Sequence, residues 1–172
     1  MPYASSYCTD KKSGYLKNIL TRKSSMTYYT AKYITVFFSG FITVFFILCF
    51  NLITTMMFYP LLPPEPITAL FPVALGDSML KELFIDYPMI YTFLYIILDS
   101  IFFGAIALIS MVLGMKTRYS FVSIVGSTII YFSFSFIITS FKLYTHNPAV
   151  YLIPYQPYSG INIEIILLHL LI

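Results

Sequence analysis

Residues 33–58 read YITVFFSGFITVFFILCFNLITTMMF, 26 residues without a single charge. As a helix rising about 1.5 Å per residue, this stretch reaches roughly 39 Å. That exceeds the hydrocarbon core of a bilayer, about 30 Å thick, so the stretch can cross with some tilt. A secretory signal has a much shorter apolar core close to the amino terminus. Here 32 more polar residues come first, so the stretch reads as a permanent span.

The rest of the chain has the same character. Of 172 residues, 59% are hydrophobic and only 10% are charged. Soluble domains carry about 25% charged residues. A water-soluble globule of this size would lack the charges to cover its surface, and a disordered chain would be far more polar. Two cysteines, Cys8 and Cys49, do not make a disulfide framework. An integral membrane protein remains. Further apolar runs cover residues 88–114, interrupted only by Asp99, and 119–141, with no charge. A last run, 161–172, is shorter than the roughly 17–25 residues a helical crossing takes. It reads as a partial fourth span that is cut short, because a terminal carboxylate inside the bilayer is costly. A β-barrel would alternate apolar and polar residues over segments of about ten. Only YFSFSF at 131–136 does so, and it is embedded in a continuous apolar run. The expected fold is therefore an all-α, polytopic transmembrane bundle: three full spans, a partial fourth, and a polar amino-terminal segment over 1–32. Residues 33–172 form one membrane domain, with no internal repeat and no low-complexity linker.

Charge sets an orientation. Residues 1–32 carry Lys11, Lys12, Lys17, Arg22, Lys23 and Lys32 against Asp10, a net of +5. The turn between the second and third spans holds Lys116 and Arg118, whereas the loop at 59–87 has a net of −3. Lys and Arg near span ends favour the cytoplasm. The expectation is a cytoplasmic amino terminus and a cytoplasmic 115–118 turn, with the 59–87 and 142–160 loops outside. The prolines at 60, 63, 64 and 66 favour extended backbone. Residues 77–85 suit a short amphipathic helix, and Pro88 suits the first turn of the second span.

The amino-terminal segment is the most informative region. Placed at about 100° per residue, Tyr15, Leu16, Ile19 and Leu20 share one arc of about 140°. Lys17, Asn18, Thr21, Arg22 and Ser24 fall opposite, and Lys23 intrudes on the apolar arc. This predicts a basic amphipathic helix over 14–24, capped by Ser13 or Asp10. Such a helix either lies on anionic headgroups or docks a cytoplasmic partner.

The order of residues here is Asp10, Gly14 four positions on, the apolar pair Ile19-Leu20, the stretch Thr21-Arg22-Lys23, and Lys32 opening a span. In this order, TDKKSGYLKNILTR running into YYTAKYI, the chain resembles the transmembrane (permease) subunit of bacterial ABC-2-type ATP-binding cassette transporters. The resemblance implies that the amino-terminal helix is a coupling helix docked in a cleft of a separate ATPase subunit. Asp10, Lys12, Gly14, Tyr15, Leu16, Ile19, Leu20, Arg22 and Lys23 would make that contact. It also implies a second permease subunit, identical or similar, and a multi-pass location in the bacterial plasma (inner) membrane, with export as the direction of transport. The family has six spans with this helix between the second and third. On that template residues 33–58 are span three, residue 161 opens span six, and the first two spans are absent. The pattern departs from the family in having Asp rather than Glu at position 10 and no proline after Ile19-Leu20.

Nucleotide chemistry is not expected on this chain. A phosphate-binding loop of the G-x-x-x-x-G-K-[ST] type needs a Gly-Lys pair, and none occurs. No H-E-x-x-H, no metal-ligand spacing and no nucleophile–base grouping is present, so neither a catalytic centre nor a cofactor or metal is expected. The basic segment is too short and too close to the bilayer to argue for nucleic acid. Three polar residues remain inside the apolar runs: Asn51, Asp99 and Glu164. A lone carboxylate at mid-bilayer costs roughly 2.5–3.5 kcal/mol, so Asp99 should face other helices. It serves there as a structural hydrogen-bonding group or in the passage of a substrate or proton. Ser100-x-x-x-Gly104 and Ser110-x-x-x-Gly114 are small-residue pairs that let helices approach closely. Asn51 reads as interhelical glue, and Glu164 as a solvated or paired residue near the outer surface. The alternative to a permease is an accessory or immunity-type membrane protein that does not transport, or a truncated permease without independent activity.

Overall fold

Apolar sequence in lipid must satisfy its backbone internally, and helices do so segment by segment. The computed structural model describes residues 3, 6–22, 24–59, 80–117, 119–153 and 166, and among them every regular element is helical. Two short helices, α1 (Ser6–Lys12) and α2 (Tyr15–Leu20), precede the long α3 (Ser25–Phe58). Then come α4 (Lys81–Asp86), α5 (Pro88–Lys116), α6 (Ser120–Ser140), a 3-10 turn (Tyr144–His146) and the one-turn α7 (Pro148–Tyr151).

Three helices are long and apolar enough to cross a membrane: α3 with 34 residues, α5 with 29 and α6 with 21. They mark the chain as a membrane protein. Their positions match the three expected spans, with one notable shift. α3 starts at Ser25, eight residues before the apolar run. Ser24 Oγ accepts a hydrogen bond from the Thr27 amide (3.4 Å), as an N-cap residue does. The charge that marked the expected boundary, Lys32, is buried rather than solvated. Pro88 opens α5, where its missing N–H costs nothing, and Lys116 closes it, where a cation complements the helix dipole. α4 covers Lys81–Asp86 of the helix expected over 77–85, whose first residues are outside the described ones, as are the proline-rich residues 60–66. The expected partial fourth span, 161–172, is likewise outside them except for Ile166, which is buried.

The chain divides into two compact units. One comprises Met1–Phe46 and Ser100–Phe132, the other Ile47–Asp99 and Ser133–Ile172.

In the first unit, α3 meets α5 at glycines. A Cβ placed on Gly40 would lie 2.9 Å from Ala107 Cβ, and one on Gly104 would lie 2.9 Å from the Phe37 ring and 3.2 Å from the Phe37 carbonyl oxygen. Only hydrogen fits at either position, so the two backbones come close enough for dispersion to hold them, the main attraction available between helices in lipid. Val36, Ala107 and Met111 are the buried centre of this contact, with Tyr33, Leu108 and Met115 packed around it. α5 and α6 are joined by two serines. Ser110 Oγ donates to the Ser123 carbonyl (2.9 Å), and Ser123 Oγ donates back to the Ser110 carbonyl. Both serines are fully buried. Further along the same pair, the Phe102 and Tyr131 rings meet edge to face.

In the second unit, Phe84 of α4 stands edge-on to Tyr91, which in turn packs on Tyr95. After α6 the chain is tied back by Asn147. Its Nδ2 donates to Thr139 Oγ1 (2.9 Å) and to the Ser135 carbonyl (3.4 Å), while its Oδ1 accepts from the Ala149 amide and caps α7. Across the long helices the exposed side chains are large and apolar. Phe50 is 73% exposed and Phe136 74%. In water this would be a liability, whereas in a bilayer it is the lipid-facing surface.

Candidate functional site

The basic amino-terminal segment folds as two short helices. Gly14 separates them with φ +74°, a left-handed backbone that an L side chain rarely adopts. No other residue crowds this position, so the need for glycine is conformational alone. α2 is six residues long, shorter than the helix expected over 14–24. It ends where the Thr21 hydroxyl donates to the Asn18 carbonyl (2.9 Å). Neither Ser13 nor Asp10 caps it. Gly14 holds the cap position without a side-chain bond, and the Ser13 hydroxyl donates to the Asp10 carbonyl. So short a helix has little stability of its own; its neighbour α1 is what ties it to the long helices.

Two seams make that tie. In the first, Asp10 Oδ2 accepts from Lys32 Nζ and from the Tyr28 hydroxyl, both at 2.6 Å and both from the first turns of α3. The side chains of Lys32 and Asp10 are only 10% and 19% exposed, so the pair is largely withdrawn from water. The Tyr3 ring lies 5.1 Å from the same ammonium, within cation–π range. In the second seam, the buried thiol of Cys8 donates to the carbonyl of Gly114 (3.4 Å) at the end of α5. Tyr7, also buried, packs its ring on Tyr29 of α3. Burial and a hydrogen bond with Tyr29 push the Tyr7 phenol up to about 12.

The residues expected at an ATPase contact divide accordingly. Lys12, Tyr15 and Arg22 are exposed, and Leu16 and Ile19 are half-buried. Asp10 is occupied by Lys32 and Tyr28, not offered to a partner. Lys23 and the side chain of Leu20 are outside the described residues, as is Glu164. Asn51 is exposed on α3, and its carbonyl and Oδ1 both accept from the Thr55 hydroxyl of the same helix. Asp99 is half-buried, and its Oδ1 is buried without a hydrogen-bond partner. The small-residue pairs of α5 do face other elements. Gly104 lies against Phe37, Ser110 binds Ser123, and Gly114 lies against Cys8 and Ser123.

Sequence reasoning named Asp10 and Lys32 separately but did not pair them. A usable signal existed, since Asp10 is the one acidic residue before position 65 and Lys32 the one cation in the first turns of a long helix. Tyr28, Cys8 and Tyr7 carried no such signal, because their partners are set by the tertiary fold. Both cysteines are free. Among the described residues, no group of three or more His, Cys, Asp or Glu side chains could hold a metal. Compared with known proteins, the chain matches no protein-family model, no curated protein and no solved structure.

Proposed function

We propose that this chain is the transmembrane subunit of an ABC-2-type transporter of the bacterial plasma membrane, with its amino terminus in the cytoplasm. A separate cassette ATPase and a second permease subunit would complete it. The observation that carries this reading is the double seam. α1 is fixed to α3 through Asp10, Lys32 and Tyr28, and to α5 through Cys8 and Gly114. A force applied to α1 and α2 is therefore delivered to two spans at once, which is what a coupling element has to do. On this reading, ATP binding draws the ATPase dimer together and shifts α2. Tyr15, Leu16 and Ile19 fill the ATPase cleft, and Arg22 pairs with acidic residues on its rim. The spans then alternate their access to the two sides, exporting the substrate.

A second reading is an accessory or immunity-type membrane protein that does not transport. It is favoured by the brevity of α2 and by the internal use of Asp10, the acidic residue of the coupling pattern. Co-expression with the cassette ATPase encoded nearest to this chain separates the two. In the permease reading the ATPase co-purifies with the full chain, and Leu16→Asp abolishes co-purification while membrane insertion persists. ATPase association unchanged by Leu16→Asp refutes the docking role, and no association with the intact chain favours the accessory reading.

A further inference from the structure

The two units differ sharply in charge. The first holds eight of the ten basic residues and one of the seven acidic residues, Asp10. That carboxylate is neutralised internally by the buried Lys32. Lys11, Lys12, Lys17, Arg22 and Lys116 are all exposed, and none meets a carboxylate of its own unit. Lys11 and Lys12 close α1, and Lys116 closes α5. The Cys8 bond to the Gly114 carbonyl brings these two helix ends together. Exposed cations gathered where a long apolar helix ends sit at headgroup level, and they attract anionic lipid within about a Debye length. Aromatic side chains suited to the same depth follow Lys116 within five residues of sequence. Tyr119 is 70% exposed and Phe121 74%.

We infer that Lys11, Lys12 and Lys116 form a binding surface for anionic phospholipid headgroups in the leaflet at this end of the spans. The occupant follows from charge complementarity. Each ammonium offers three donors to phosphate oxygens, and nothing acidic in the unit competes for them. The inference requires only that the chain is embedded in a membrane, and it is independent of any transport role.

The test uses the full chain in detergent solution, with phosphatidylglycerol and phosphatidylcholine added in equal amounts and the retained lipid counted by native mass spectrometry. Wild type should prefer phosphatidylglycerol by at least about tenfold at physiological salt and lose most of that preference at high salt. Substituting Lys11, Lys12 and Lys116 together by Gln should reduce the preference to within about twofold of unity. The matching Arg substitutions, which preserve charge, should keep it and guard against a merely misfolded variant. Equal retention of the two lipids by wild type would overturn the inference. So would a Gln variant that folds and keeps its preference.

Discussion

Removing the Asp10 carboxylate tests how the amino-terminal helices are held. In Asp10→Asn, the Lys32 side chain is left nine-tenths buried with its counter-ion gone. Breaking a fully buried ion pair in this way costs about 3–5 kcal/mol, and an exposed one at most about 1 kcal/mol. With the carboxylate 19% exposed and the Tyr3 ring still beside the ammonium, about 2 kcal/mol is the appropriate figure. Asn still accepts the Tyr28 hydroxyl, so the loss falls on Lys32. The double variant Asp10→Asn/Lys32→Met replaces the pair by uncharged groups of similar size, a change that is often neutral. Cys8, two residues from Asp10 and buried against Gly114, reports on the seam. In a Cys49→Ser background, maleimide labels Cys8 in proportion to the fraction of molecules in which α1 has lifted away. Asp10→Asn should speed labelling about 30-fold, the equivalent of 2 kcal/mol, and the double variant should return to within a few-fold of wild type. Labelling of Asp10→Asn within twofold of wild type, or a double variant as reactive as the single, would refute the argument that a withdrawn ion pair fastens α1.

Gly40→Ala should destabilise the folded chain by about 1–3 kcal/mol, because the new methyl meets the Ala107 methyl at 2.9 Å with backbone close behind. Gly126→Ala should cost much less, since its methyl meets only the mobile end of Leu113; detergent unfolding curves compare the two. Ser123→Ala should lower stability by about 0.5–1.5 kcal/mol, and adding Ser110→Ala should cost a similar amount again, because each hydroxyl donates to the other residue's backbone carbonyl and that acceptor survives the first substitution. The raised Tyr7 phenol contributes stability that is complete below pH 10 and declines as pH rises towards 12, where the unfolded chain ionises first. Tyr7→Phe should remove that decline, measured as Cys8 labelling across the alkaline range.

The three spans were legible because each is a long charge-free or nearly charge-free run, a signal that tertiary context rarely overrides in lipid. Their small-residue pairs were legible for the same reason, as close packing leaves a mark in residue size. The start of α3 was not, because Lys32 counts by its charge with the polar amino-terminal segment, while Asp10, 22 residues earlier, makes it an interior residue of the helix. α1 was missed because Ser6–Lys12 has no apolar periodicity, and its order comes from the contacts of Tyr7, Cys8 and Asp10. The helix expected over 14–24 was overextended, since a rotational plot weighs only which side a residue takes. It is blind to the left-handed turn at Gly14 and to the Thr21 hydroxyl that ends the helix.

The reciprocal serine bond has a bearing on how the chain assembles. α5 and α6 are separated by only three residues, so the two can enter the bilayer as one hairpin. A slip of one residue would rotate each hydroxyl by about 100° away from its carbonyl and break both interhelical bonds. The pair therefore favours one register of the hairpin over its neighbours, the register in which the Gly114 carbonyl stands where the Cys8 thiol of α1 reaches it.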